Sequence, residues 1–495
     1  MSAARPRRIV AGVLVAVLTL LALRDLSRLG GALPWRTMDD FSDFYCAGAV
    51  LDGGADPYAY EPLHSCEHRV ASSDTFRGRL FAANPALAVP APQPPFDFLP
   101  YMALARVPFP TARVLAALAI VAAVAVAMLG LAALGVPWPI AIAALIFSTA
   151  YASLNTGQIV PFSLVSLVIC GVALARGGYT AAGVFAVLTA IEPAVGIPVI
   201  AATAIFVPRT RIAIAIGLAA LATLSVALVG WSVLLRYVAE VIPAHSLTEL
   251  HFPFQYSAAY VAAHFGASPP LARLAGTASY LVLVALGLIV GRKAAASLRR
   301  PELIAFVPAL CAVTGGIFVH GEELCFAIPA AAIVAISTTG RARSVAAVAL
   351  CVLSIPWIAV WGTKQLFLAS LVVCVVIVIR LGIPAATAIG ILVAAAATIY
   401  AFELQPPQLP VPTALPRAYE PAGLVQRAWA DYTAARATDD PLWFAIKLPT
   451  WAALLAVLAL AYRCAVRSPL ASESSPESSR ETQDRPTASP RVRTD

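Results

Sequence analysis

The chain alternates between long uncharged apolar runs and short polar segments along most of its length. Most of these runs are long enough to cross a hydrocarbon core of ~30 Å as helices. We predict transmembrane or half-membrane helices at 9–24, 111–135, 138–154, 159–176, 180–207, 211–234, 272–291, 302–319, 323–338, 344–361, 365–380, 383–402 and 446–463. The pattern predicts an all-α polytopic membrane protein, a bundle of about 12–14 membrane segments.

Basic residues beside the apolar runs orient the chain. They form short clusters, which are Arg5 with Arg7 and Arg8, Arg209 with Arg211, Arg292 to Arg300, Arg341 with Arg343, and Arg463 with Arg467. The positive-inside rule puts such clusters in the cytoplasm. Both termini are then cytoplasmic, and three polar segments, 25–108, 235–271 and 403–445, are outer loops.

The two ends of the chain have different characters. The first apolar run has no clear cleavage site after it, so we interpret it as a retained signal anchor. Residues 1–467 are predicted to form one integral-membrane domain. Residues 468–495, rich in Ser, Glu, Pro and Arg, are predicted to be a disordered cytoplasmic tail.

Composition excludes a soluble fold. Of 495 residues, 60% are apolar and 12% are charged, whereas a globular chain is about 25% charged. The net charge of +8 comes mostly from the orienting clusters, so it does not indicate a nucleic-acid partner. Membrane lipids are the predicted surroundings, in a plasma or inner membrane.

The segment 180–207 is interrupted at Glu192-Pro193 and has basic residues on both sides, at Arg176 and Arg209. One crossing would put one of these arginines on the wrong side of the membrane. Two half-helices that enter and return satisfy both the charge rule and the helix-breaking effect of proline. The alternative is a single kinked helix with a misplaced basic residue.

Ionisable residues are concentrated in two places on the predicted outer side. His320, Glu322 and Glu323 occupy a very short turn between two apolar helices, where ionisable groups are candidates for function. The run MDDFSDFYCAG places acids among aromatic side chains, which can raise a carboxyl pKa towards that of a useful base. The alternatives are an exposed turn and an amphipathic interfacial helix.

Cysteines and known motifs suggest little further chemistry. Cys46 and Cys66 both lie in the first outer segment, where we predict a disulfide between them, and the alternative is two free thiols. His64, Cys66 and His68 do not have a standard zinc spacing. The chain has no phosphate-binding loop and no dinucleotide fingerprint. We predict no metal and no cofactor.

Four motifs resemble the glycosyltransferase 87 family, membrane mannosyltransferases of the GT-C class. DFSDFYCAGAVLDGGADPYAYEP (40–62) resembles the family's first outer loop, and PPFDFLPYMALARVPFP (94–110) its Pro-Pro step into the second helix. NTGQ (155–158) is similar to the family's Asn-Gly-Gln turn, and His320 to the His of its later outer turn. The resemblance extends over about 40–325 and implies a GT-C-type bundle.

The resemblance also implies an activity. Such enzymes transfer a sugar from a polyprenyl-phosphate donor to a lipid or glycan acceptor on the outer face, with an Asp as general base. One-step attack implies inversion at the anomeric carbon.

The motifs carry roles over to residues of this chain. Asp40 aligns with the family's base, and Asp43 is the alternative because the DFSDF repeat blurs the register. His320 is implied as a contact to the donor phosphate. The remaining candidates are Arg36 and Arg106 as donor-phosphate cations, and Asn155, Gln158, Glu192 and Glu322 as further site residues. Arg77 and Arg79 are outer cations that no motif selects.

One departure from the family leaves the sugar open. Glu192 stands where many relatives have a Lys, so both mannose and a pentose remain candidates. Two other functions are open as well. A lipid or solute transporter, including a flippase, would show matched repeats. A glycan polymerase or ligase would use a donor with two phosphates instead of one.

Overall fold

The computed structural model describes residues 4–27, 34–71, 76–357, 366–404, 415, 419–438 and 440–467. The predicted tail 468–495 lies outside these residues. Over this described part the chain is helical and forms no strand, apart from an isolated bridge between Ala59 and Leu424. The main helices of the bundle are Ala4–Ser27, Phe109–Ala133, Trp138–Leu145, Val160–Ala175, Tyr179–Leu188, Pro193–Phe206, Arg211–Arg236, Pro269–Leu298, Leu303–Gly315, Ile328–Ser337, Gly340–Leu353, Leu366–Arg380, Ala385–Leu404 and Leu448–Arg467.

Length and composition qualify several helices as membrane spans. Within the described residues, five are long and apolar enough: Phe109–Ala133, Trp138–Thr156, Pro208–Thr248, Pro269–Leu298 and Leu442–Val466. Further apolar helices of 10–17 residues lie beside them. Large apolar side chains also point out of the bundle, such as Ile212 at 77% exposure and Leu281 at 61%. Such a surface suits lipid and not water, and the predicted all-α polytopic fold is confirmed.

The interrupted segment forms a helical hairpin. Tyr179–Leu188 and Pro193–Phe206 are separated by a 3₁₀ turn and by Glu192, whose backbone is extended. A Cβ on Gly183 would lie 2.8 Å from the carbonyl oxygen of Thr210, so the chain returns to the side of the first helix. This is the arrangement of two half-helices that the charge pattern predicts.

The three predicted outer loops are largely helical. The first polar segment (34–105) contains Pro34–Thr37, Phe41–Asp52, Tyr60–Val70, Phe76–Ala83 and Phe98–Ala105. The second (237–264) contains Tyr237–Val241, Ile242–Thr248 and Ala258–His264, and the third (415–445) contains Gln426–Ala435 and Leu442–Ala445. Each helix is too short for its apolar period to be recognised in sequence, and it is stabilised by packing instead.

The three polar segments pack together as one layer. The N–H of Val425 donates to the carbonyl oxygen of Tyr58 (3.1 Å), which joins the third segment to the first. Thr433 Oγ1 donates to the carbonyl oxygen of Thr248 (2.7 Å), which joins the third to the second. Segments far apart in sequence therefore cover the same end of the bundle.

Candidate active site

A cavity of about 550 Å³ lies between the layer of polar segments and the bundle. Residues from all three segments and from several membrane helices line it. Its polar lining includes seven of the predicted site residues, which are Asp40, Asp43, Asn155, Gln158, Glu192, His320 and Glu322. The structure thus brings together side chains from four distant parts of the sequence.

Asp40 stands immediately before the helix Phe41–Asp52 and is held at both carboxylate oxygens. Arg77 Nη2 donates to its Oδ1 (3.0 Å), and Gln158 Nε2 donates to its Oδ2 (2.5 Å). The N–H of Asp40 also donates to the carbonyl oxygen of Thr156 (2.7 Å). The side chain remains 33% exposed, so its carboxylate is fixed in place and still accessible from the cavity.

A glycine turn makes this arrangement possible. Gly157 has a φ of 82°, in the left-handed region that favours glycine. A Cβ there would lie 2.6 Å from the Cβ of Phe41, well inside contact distance. The turn therefore fits directly under the start of the helix that Asp40 precedes, and Gln158 reaches the Asp40 carboxylate from it.

Asp43, one turn further on, has a different environment. It is 2% exposed and accepts hydrogen bonds from Arg77 Nη2 (2.7 Å) and Ser42 Oγ (3.0 Å). Burial raises the pKa of Asp43 well above its ordinary value, against the opposing charge of Arg77, and the charge of Glu67 adds to the rise. Burial also raises the pKa of Glu67 to about 8. The two acids share one buried region, which favours a proton on one of them.

His320 lies on another part of the cavity wall. Its ring Nε2 is 3.4 Å from Glu249 Oε2, and its backbone N–H donates to Glu323 Oε2 (2.9 Å). Burial alone would lower the pKa of His320. The hydrogen bond and charge of Glu249, with the charges of Glu322 and Glu323, outweigh burial and raise that pKa to about 9. His320 is therefore a cation at neutral pH.

The carboxyl groups beside His320 have raised pKa values. Burial raises the pKa of Glu323 to about 7, and it also raises the pKa of Glu322 against the charge of His320. The charge of Asp40 contributes to the rise at Glu322, so the two walls are close enough to interact across the cavity. Carboxyl groups that carry a proton can donate as well as accept hydrogen bonds.

Of the two predicted donor-site cations, the structure describes the side chain of Arg106, and it does not lie at the cavity. Arg106 lies on an exposed surface, where its Nη2 contacts Asp52 Oδ1 at 2.8 Å, and it is absent from the cavity lining. This corrects the expectation for Arg106, because its partner on the helix Phe41–Asp52 holds it outside. The side chain of Arg36 lies outside the described residues.

The cysteine and histidine residues of the first segment have structural contacts. Cys46 and Cys66 are bonded and join the helices Phe41–Asp52 and Tyr60–Val70. The Nε2 atoms of His64 and His68 contact the carbonyl oxygens of Pro85 (2.8 Å) and Leu87 (2.9 Å). The four residues are thus engaged within the first polar segment.

Sequence reasoning left some of the cavity residues unselected. Arg77 was one of several outer cations, and nothing distinguished Glu249, Trp429 or Arg436. Glu249 and Trp429 are hydrogen-bonded in the structure although they are 180 positions apart. No local pattern signals such a contact. For Arg77, the signal would have been a basic residue in the same polar segment as a run of acids. Acids that become buried need a cation as partner.

A comparison with known families identifies the central part of the chain. Residues 93–320 match the family model of glycosyltransferase family 87. The matched part includes Gln158, Glu192 and His320, and it begins after Asp40 and Asp43. No curated protein and no solved structure matches the chain significantly. The match agrees with the family resemblance that the motifs predicted, and a glycosyltransferase family 87 domain implies a membrane glycosyltransferase.

Proposed function

We propose that the cavity is the active site of a transferase that uses a polyprenyl-phosphate sugar. It transfers mannose or a pentose to a lipid or glycan acceptor at the outer face of the plasma or inner membrane. Residues 1–467 act as one membrane domain in this proposal. The observation that carries it is the accessible Asp40 carboxylate, fixed on a cavity that also contains the cationic His320.

Asp40 is the general base. A base must be positioned, ionised and accessible to the hydroxyl that it deprotonates. The guanidinium of Arg77 and the amide of Gln158 position the Asp40 carboxylate. Asp43 is nearly inaccessible, so its role in the proposal is to position Arg77.

His320 contacts the donor phosphate. A protonated imidazole donates a charge-assisted hydrogen bond to a phosphate oxygen, which is stronger than a neutral one. Asn155, Gln158, Glu192 and Glu322 line the same cavity and supply amide and carboxyl groups for the sugar hydroxyls. Glu192 makes this end of the cavity acidic where a Lys would have made it basic.

The cavity also has an apolar part suited to a lipid. Its apolar lining includes Leu324. It also includes Val352, Leu353, Ile355, Pro356 and Trp357, at the end of the helix Gly340–Leu353. A polyprenyl chain requires apolar contacts next to a polar pocket for its phosphate. A nucleotide sugar, which is water-soluble and carries two phosphates and a base, has no need of such a wall.

The reaction is a single displacement. The acceptor hydroxyl oxygen forms a bond to the anomeric carbon, and its proton passes to the Asp40 carboxylate. The bond from the anomeric carbon to the phosphate oxygen breaks, and polyprenyl phosphate leaves with the electron pair. Attack from the side opposite the leaving group inverts the anomeric centre.

The test compares two aspartate variants in purified protein reconstituted with lipid acceptors. Radiolabelled polyprenyl-phospho-mannose and polyprenyl-phospho-arabinose serve as donors. Asp40→Asn keeps the shape and removes the base, so turnover should fall roughly 10²–10⁴-fold while donor binding persists. Asp43→Asn is the matched control and should retain much more activity, because it changes a positioning residue.

The outcomes separate the alternatives. If Asp43→Asn is inactive and Asp40→Asn is active, then Asp43 is the base. If both variants transfer sugar at the normal rate, no aspartate of this segment is the base. Movement of a lipid or solute without a new glycosidic bond would support the transporter. Transfer only from a donor with two phosphates would support the polymerase or ligase.

A further inference from the structure

Three cationic side chains among the described residues line the cavity, and they differ in their partners. Arg77 contacts the carboxylates of Asp40 and Asp43, and His320 contacts the carboxylate of Glu249. Arg436, in the third polar segment, contacts no carboxylate of the described residues. Its Nε is buried without a hydrogen-bond partner. Arg436 therefore brings to the cavity a positive charge that is not paired with any carboxylate of the described residues.

Arg436 is nevertheless held in place. Its Nη1 donates to the hydroxyl of Tyr432 (2.5 Å), one turn earlier in the chain, and its Cζ lies 5.5 Å from the centre of that ring. Tyr432 is 1% exposed and stacks on Trp429. These contacts orient the guanidinium without compensating its charge. A partly buried cation without a counter-ion is costly, and an anionic ligand in the cavity would remove that cost.

The helix that leads to Arg436 is connected to His320 through one buried acid. Glu249, 2% exposed, accepts a hydrogen bond from Trp429 Nε1 at Oε1, and its Oε2 lies 3.4 Å from His320 Nε2. The helix Gln426–Ala435 and the His320 turn are thus positioned against the same carboxylate. Any shift of one with respect to the other would break a contact to Glu249.

We propose that Arg436 binds the phosphate of the lipid-linked donor together with His320, as a second cation supplied by the third polar segment. The proposal rests on the proposed function. It places part of the donor site outside residues 93–320, the part that matches the family. The planar guanidinium can donate two parallel hydrogen bonds to phosphate oxygens, which a Lys cannot reproduce.

The chemistry of the leaving group sharpens the role. A sugar phosphodiester carries one negative charge, and the polyprenyl phosphate that leaves carries up to two. A cation at the phosphate therefore interacts more strongly as the bond to the anomeric carbon breaks, which assists departure. Arg436 should consequently bind the product phosphate at least as tightly as the donor.

The experiment measures binding directly, with farnesyl phosphate as a short product analogue and farnesol as the same chain without phosphate. Arg436→Gln should raise the Kd for farnesyl phosphate about 10- to 100-fold, which is typical of the loss of a charge-assisted hydrogen bond. Its Kd for farnesol should not change. Arg436→Lys keeps the charge and should fall between the wild type and Arg436→Gln.

Arg427→Gln is the matched control. Arg427 belongs to the helix Gln426–Ala435 that leads to Arg436, is 68% exposed and lies 3.8 Å from Glu420, away from the cavity lining. The same loss of charge at this position should leave the Kd for farnesyl phosphate unchanged. An equal weakening by both variants would assign the effect to long-range charge and overturn the proposal. A melting temperature of each variant in detergent shows whether it is folded.

Failure of this proposal differs from failure of the proposed function. If Arg436→Gln binds farnesyl phosphate like the wild type while Asp40→Asn abolishes transfer, Arg436 is not a phosphate ligand and the transferase stands. If the wild type binds farnesyl phosphate no better than farnesol, no phosphate site exists. In that case both the donor class and the role of Arg436 are wrong.

Discussion

Asp40 and Asp43 show how strongly the position of one residue within a turn affects its chemistry. They are three residues apart and share Arg77 as a partner. Asp40 precedes the first turn of its helix and reaches the cavity, whereas Asp43 points into the protein and is 2% exposed. Burial disfavours the charged form of a carboxyl group. The first acid is therefore suited to accept a proton in catalysis, and the second to hold the guanidinium.

At the same scale, the charge of His320 should control donor binding. The pKa of His320 is raised from 6.5 to about 9, so the imidazole is charged below this value and neutral above it. Affinity for farnesyl phosphate should fall about tenfold as the pH rises through about 9. The Kd measured between pH 7 and 10 checks this, and His320→Gln should remove the change near pH 9.

The raised pKa of His320 also affects the stability of the fold. Because the folded-state pKa lies above the unfolded one, His320 stabilises the fold fully below about pH 6.5 and loses this effect as the pH rises through about 9. The ionisable groups that interact with it are Glu192, His245, Glu249, Glu322 and Glu323.

In Glu249→Gln the midpoint for donor binding should move to lower pH. A midpoint that stays near 9 would contradict the role of Glu249.

At the scale of elements, breaks in helices supply the site. The helix Ala152–Thr156 ends at Gly157, and the hairpin turns at Glu192, so both interruptions place polar groups at the cavity. An uninterrupted helix would satisfy its own backbone, and Thr156 and Gln158 could then not hold Asp40. At these positions the chain gives up regular hydrogen bonding and gains a polar wall instead.

Gly157→Ala should separate Asp40 from its partners. The new Cβ would collide with Phe41 and also strain a left-handed residue, which costs about 1–2 kcal/mol. We expect turnover to drop at least tenfold together with a lower melting temperature. Gly135→Ala is the control, because Gly135 has a φ of 86° with nothing within 4 Å of a Cβ. It should lower the melting temperature and leave turnover intact.

For the whole molecule, the important feature is the packing of the three polar segments into one layer. Contacts of Thr433 and Trp429 with the second segment hold the helix Gln426–Ala435 at the cavity. The positive-inside pattern independently assigns all three segments to the outer side. A shared side is what their mutual packing requires, since segments on opposite faces could not touch.

Cysteine labelling tests this orientation. Glu420→Cys lies in the exposed part of the third segment, and Arg480→Cys lies in the predicted cytoplasmic tail. A membrane-impermeant maleimide added to intact cells should label position 420 and not position 480. The parent protein provides the background, because five of the six described cysteines outside the disulfide are buried. Labelling at 480 but not at 420 would reverse the topology.

The sequence alone determined the bundle, because apolar runs and basic clusters are local signals. A run of about 20 apolar residues is stable in the hydrocarbon core of a membrane, and its backbone must form a helix there. The family motifs likewise pointed to Asp40 and His320 before any contact was known. These predictions do not depend on tertiary contacts.

The tertiary structure decided which residues meet. The sequence predicted Arg106 as a donor-phosphate cation and left Arg77 unselected, yet Arg106 is exposed on Asp52 and Arg77 is buried between two aspartates. It gave no reason to select Arg436, because the contacts that bring its helix to the cavity join residues about 180 positions apart. Such contacts depend on how complete surfaces pack, and the periodicity of a single segment does not encode them.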